Sequence, residues 1–143
     1  MGIQALLFAL LFSPFLLTNT VNGISKTTVS IFNILPDELK LTIHCKSKND
    51  DLGIHELRSN ESFAWSFRDN FFDTTLFFCG FSWRDASLSF DIYKATRDRF
   101  RCPLNCTWVA NYDGVYGYSE NDGGDDIIFR WPKNLHQIHM LNY

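Results

Sequence analysis

Two histidines with lysines close by are the first residues whose types could do chemistry. His44 and His55 flank Lys46 and Lys48. A histidine pair can act as general acid and base on a phosphodiester, with a lysine steadying the phosphorane, as in secreted ribonucleases. That chemistry needs both rings in one cleft. The pattern argues against it, because His44 falls on the polar side of an alternating segment and His55 opens another. His136 and His139 are three apart and could bind a metal on a helical tail, but no third ligand accompanies them. Asp50 and Asp51 are adjacent, so an extended chain would aim them to opposite sides; a turn is the simpler role. Residues 120–126 (ENDGGDD) lack the ligand spacing and closing Glu of an EF-hand, and read as a solvated turn. There is no G-x-S-x-G, phosphate-binding loop, H-E-x-x-H or G-x-G-x-x-G. We therefore expect no enzyme and no cofactor.

Other residue types point to a scaffold and a surface. The cysteines are Cys45, Cys79, Cys102 and Cys106, an even number that reads as two disulfides in a small exported chain. Three pairings are open. Joining Cys102 to Cys106 closes a very small loop and gains little entropy, so the expected bridges are Cys45–Cys106 and Cys79–Cys102. Zinc is the rival use of Cys102-x₃-Cys106, but no second close pair supports it. Two N-glycosylation triplets occur, Asn60-Glu-Ser and Asn105-Cys-Thr. Asn105 sits between two cysteines, which favours Asn60. Arg97, Arg99 and Arg101 alternate around Asp98. If that segment is extended, all three project from one side as an electrostatic contact surface; a solvated loop is the plainer alternative. Four tryptophans could line a sugar-binding face, but three stand in strand patterns beside apolar partners and read as core.

Export follows from the N-terminus. Residues 1–23 carry no Asp, Glu, Lys or Arg, and 5–17 are apolar except Ser13 and Pro14. A membrane-spanning helix needs about 20 apolar residues, whereas a secretory signal core needs roughly 7–15. Val21 and Gly23 supply small residues ahead of a cut. Cleavage there leaves residues 24–143 as one domain, with no later apolar stretch of about 18 residues to anchor it. Net charge is −3, from 13 basic and 16 acidic side chains. Such a balance does not draw a chain to nucleic acid or anionic membranes. The expectation is a secreted, extracellular monomer that neither binds nucleic acid nor inserts in membranes.

The elements positioning these residues read as strands. Leu39, Leu41, Ile43 and Cys45 alternate with polar residues; so do Phe63, Trp65 and Phe67. Leu88, Phe90 and Ile92 alternate against Ser89, Asp91 and Tyr93. Residues 74–83 (TTLFFCGFSW) are apolar on both sides and read as a central strand. Segments 29–35, 107–111, 115–118 and 127–131 complete the set, with turns at 36–37, 49–53, 58–60, 68–70, 113–114 and 122–125. No window has helical periodicity with caps. The fold expected is all-β: a disulfide-stabilised antiparallel β-sandwich of about eight strands, since a one-sided sheet needs a second layer.

At this point several blocks together resemble a known family. Residues 41–57 (LTIHCKSKNDDLGIHEL), 62–67 (SFAWSF), 75–83 (TLFFCGFSW), 90–93 (FDIY), 102–106 (CPLNC), Trp108 and 113–116 (DGVY) follow in the order of the plant self-incompatibility proteins, the S-protein homologues typified by the poppy stigma S-protein. The resemblance covers roughly 28–118. It implies a small secreted plant protein with a disulfide-bonded β-sandwich and no enzymatic activity. It further implies an extracellular signalling ligand that meets a cell-surface receptor protein through loops between strands. Carried onto this chain, those loops are 94–101, with Arg97, Arg99, Phe100 and Arg101, and 49–53. Residues after Tyr118 depart from the pattern. The alternatives from other classes are a secreted hydrolase, which needs His44 and His55 together, and a glycan-binding module, which needs at least two exposed, coplanar Trp rings.

Overall fold

Thr27–Asn33 (TTVSIFN) buries every second side chain and forms β1. β-Branched residues on a period of two suit a pleated surface with one covered face. In the computed structural model, which describes residues 25–84 and 86–132, eight further strands follow: β2 (Leu41–Lys46), β3 (Asp51–Leu57), β4 (Ser62–Phe67), β5 (Leu76–Trp83), β6 (Ala86–Lys94), β7 (Asn105–Asn111), β8 (Gly114–Tyr118) and β9 (Asp125–Arg130). One helical turn, α1 (Ala95–Asp98), separates β6 from β7. The expected leader at 1–23 and the pair His136 and His139 lie outside the described residues.

The strands form two sheets, ordered β4-β1-β7-β8-β9 and β3-β2-β5-β6. Their inner faces meet over Val29, Ile31, Ile43, Phe81, Trp108 and Val115. This is the expected all-β sandwich, with a ninth strand, β3, beginning inside the turn read at 49–53, and with one unexpected pairing. All pairings are antiparallel except β1 with β7, which runs parallel from Thr28↔Asn105 to Asn33↔Ala110. The chain crosses from one sheet to the other through α1 and so enters β7 in the direction β1 already has. β5 lies inside its sheet, as expected of an apolar run, but its outer side chains Leu76 and Phe78 remain exposed.

Tyr93 departs from its expected polar-side position. The β5–β6 register pairs Phe77 with Tyr93 but Phe78 with Asp91, leaving Ile92 as an extra residue. That bulge turns both Ile92 and Tyr93 inward. The Tyr93 hydroxyl then donates to Asp69 at 2.7 Å. Burial first, and Asp69 beside it second, push this phenol well above its ordinary range.

The disulfides also correct an expectation. The bridges are Cys45–Cys79 and Cys102–Cys106, not Cys45–Cys106 and Cys79–Cys102. Loop entropy concerns the unfolded chain, whereas native register decides which thiols meet. Cys45 and Cys79 face each other directly across β2 and β5, with Cα atoms 4.1 Å apart. Cys102 and Cys106 bracket the tight entry into β7, with Cα atoms 5.0 Å apart.

Candidate recognition surface

Strand register gathers four connections at one end of the sandwich. Thr27 pairs with Phe67, Thr28 with Asn105, and Thr107 with Tyr118. In the other sheet Lys46 pairs with Asp51 and Phe78, and Leu76 with Lys94. The connections at this end are therefore 47–50, 68–75, 95–104 and 119–124.

The 95–104 segment is not extended, so its three arginines do not project together. Asp98, wholly buried, organises it. Its carboxylate accepts the Lys94 backbone N–H at 2.8 Å, Arg97 Nε and Nη2 at 2.9 and 2.7 Å, and Arg101 Nη1 at 3.1 Å. Arg97 also donates to the Asp91 carbonyl at 2.9 Å. Arg101 is only 8% exposed and binds Asp126 at 2.7 Å. Both guanidinium groups lie over Trp108, 5.8 and 5.3 Å from its centroid, where the ring face attracts cations. The Arg101 side has room because residue 117 is glycine. A Cβ there would come within 2.6 Å of Arg101 Nη2 and 2.7 Å of the indole. Arg97 and Arg101 thus hold the turn in place. Arg99 and Phe100 project from it, with the guanidinium 4.5 Å from the phenyl centroid.

Loop 68–75 lies beside them. Arg99 pairs with Asp73, and Ala95 N–H donates to the Thr75 carbonyl at 3.0 Å. Asn70 builds the loop: its Oδ1 accepts from Thr74 N–H at 2.9 Å, and its own N–H donates to Thr75 Oγ1 at 2.9 Å. Phe71 and Phe72 protrude from this frame, edge to face with centroids 5.4 Å apart. Sequence reasoning missed them. The available signal was an aromatic pair stranded between two strand patterns and belonging to neither.

The remaining predicted residues take mainly local roles. Asp51 opens β3 and accepts Gly53 N–H at 2.9 Å and His44 Nε2 at 2.7 Å, with Lys46 at 3.4 Å. The Gly53 amide first, and then His44, hold its pKa at about 2. The turn read at 49–53 is tighter, closing as Ser47 N–H to the Asp50 carbonyl at 2.8 Å. In the acidic 119–124 loop, Glu120 accepts Leu104 and Asn105 N–H at 2.9 and 3.1 Å. The Leu104 amide is the main cause of its lowered pKa; partial desolvation opposes it. Asn105 is exposed, but its Nδ2 reaches Glu120 at 3.3 Å. Asn60 sits exposed at the opposite end, at a positive φ of 67°, beside a groove lined by Glu38, Lys40, Arg58 and Ser59.

Neither rival arrangement forms. Ile43 pairs with His55 and His44 with Ile54, so the two imidazoles point to opposite faces of one sheet. His55 stacks on Phe63 at 3.7 Å and contacts the Leu52 carbonyl. Trp83, Trp108 and Trp131 are buried, and Trp65 is half-buried against Phe63 and Phe77. No two tryptophans offer a sugar-stacking face. Among the described residues, no cluster of three or more His, Cys, Asp or Glu could hold a metal, and no helix is long and apolar enough to cross a membrane.

Comparison with known proteins agrees with this architecture. The profile of the family described as Plant self-incompatibility protein S1 matches residues 28–131. S-protein homolog 24 of Arabidopsis thaliana is 47% identical over 108 residues, spanning 75% of this chain and 70% of the homolog. S-protein homolog 3 of the same plant is 39% identical over 133 residues, spanning 91% and 89%. A solved SPH (self-incompatibility protein homologue) structure superposes with a TM-score of 0.62 at 19% identity, covering 78% of this chain and 98% of that one. That protein is described as one of a widespread family of small, highly stable, secreted plant proteins. The likeness in structure supports the fold, and the matched profile with its close relatives supplies the lineage: this chain belongs to the plant self-incompatibility protein S1 family.

Proposed function

We propose that the protein is exported after loss of residues 1–23 and acts as an extracellular signalling ligand, binding a cell-surface receptor protein through its four-loop end. Residues 24–143 form the mature domain in this reading, and binding rather than catalysis is its activity. The observation that carries it is Arg99 and Phe100, projecting from a turn pinned by buried Asp98 on a two-disulfide scaffold. A rigid frame with side chains offered at its rim suits recognition, because loops vary without disturbing the core beneath. Membership of a family of secreted plant proteins supports the compartment.

The test is labelled mature protein applied to pollen tubes and other plant cells. Saturable binding, competed by unlabelled protein and weakened several-fold by Arg99→Ser with stability lowered by less than about 1 kcal/mol, is the expected result. Arg97 and Arg101 are poor probes, since their loss would disturb the turn itself. Absence of saturable binding on all cells tested would remove the ligand reading.

A further inference from the structure

Phe71, Phe72 and Phe100 are 88%, 79% and 73% exposed. A phenyl side chain offers roughly 150–250 Å², so together they present on the order of 500 Å². Phe71 and Phe72 touch edge to face and Phe100 stands on the adjoining turn; apolar area of this order is what a monomer's largest open patch offers, and such patches are often functional. The rings stand on prebuilt supports: Asn70 braces one loop, Asp98 the other, and the Arg99–Asp73 pair joins them. Little ordering remains to oppose binding, which is the condition for a strong anchor.

We propose that Phe71, Phe72 and Phe100 form an aromatic anchor that seats in an apolar pocket of a partner protein whose rim carries charges of both signs. This deepens the ligand reading and rests on it. Two other occupants fit this end of the molecule less well. A second copy would add its own Glu120, Asp122 and Asp125 to the same rim, like charges that a partner of mixed rim charge avoids. A lipid surface would present phosphates to Glu120, Asp122 and Asp125 at the same end, on a chain of net charge −3. A protein pocket can answer exposed Lys94 on one part of the rim and those carboxylates on another.

The experiment compares wild type, Phe71→Ser/Phe72→Ser and Phe100→Ser as labelled secreted proteins. Each is titrated onto intact pollen tubes and protoplasts, onto the same cells after surface proteolysis, and onto phosphatidylcholine–phosphatidylserine vesicles. All three should unfold at the same denaturant midpoint. The double variant should bind at least tenfold more weakly, Phe100→Ser several-fold more weakly, and proteolysis should abolish wild-type binding. Equal affinity of the double variant and wild type would overturn the anchor and leave the ligand reading intact. Binding that survives proteolysis or is reproduced on vesicles would overturn the protein pocket. A wild-type dimer in solution that the double variant loses would assign the rings to a second copy instead. No saturable wild-type binding would remove both proposals.

Discussion

At the residue scale, Asp98 decides where Arg99 and Phe100 point. Its wholly buried carboxylate faces a backbone amide and two guanidinium groups, Arg101 nearly buried and Arg97 partly exposed. Removing one member of a buried charge set leaves the others uncompensated. Asp98→Ala should therefore cost about 3 kcal/mol or more, read by urea unfolding. Arg99→Ser should cost under about 1 kcal/mol, because its pair with Asp73 is exposed. Asp51 behaves differently. Its folded pKa of about 2 lies below the ordinary 3.8. Its stabilising effect is complete above the ordinary value and is lost as pH falls through the folded one. Carboxyl NMR should give a midpoint near 2, and His44→Ala should raise it. These roles were hidden for a physical reason. The spacing of Arg97, Arg99 and Arg101 implies one surface only if the backbone is extended. What coils it is Asp98 holding the Lys94 amide, Arg97 and Arg101, with both guanidinium groups over Trp108 of β7, contacts that spacing does not encode.

At the element scale the two disulfides do unlike work. Cys45–Cys79 spans 34 positions and fastens neighbouring central strands, while Cys102–Cys106 spans 4 and fastens one turn. Loop-closure entropy predicts losses of about 4 kcal/mol for Cys45→Ala/Cys79→Ala and about 2 kcal/mol for Cys102→Ala/Cys106→Ala. Denaturant midpoints at equal slope would check the order; a reversal would show that the small ring does more than restrict the unfolded chain. Strand existence was legible because alternation at Leu41–Ile43–Cys45 and Phe63–Trp65–Phe67 reports one covered face. Strand partners were not. The β1–β7 pair and the Ile92 bulge depend on which segments meet across the molecule, so the parallel pairing and the inward Tyr93 had no local signal.

At the scale of the whole molecule, the two ends differ. Asn60 lies beside the Asn33 carbonyl, at the far end of β4 from loop 68–75. Six strand residues place them about 20 Å apart. Protein secreted from plant cells should carry a glycan at Asn60 and none at Asn105, whose amide is held by Glu120 within the disulfide ring. Intact mass before and after glycosidase treatment, with Asn60→Gln as control, checks this; a glycan at Asn105 would contradict it. A sugar at Asn60 would leave the aromatic rings uncovered. The parallel seat of β1 has a consequence for biosynthesis. Thr27 donates to the Pro103 carbonyl, 76 positions downstream, and β1 has β7 along one whole side. The four-stranded sheet is finished once Lys94 has emerged, and its thiols can then be oxidised. β1 must wait longer. A nascent chain paused between those two moments would show the translocation machinery half a closed protein with one bare strand margin, the form a lumenal chaperone is built to hold.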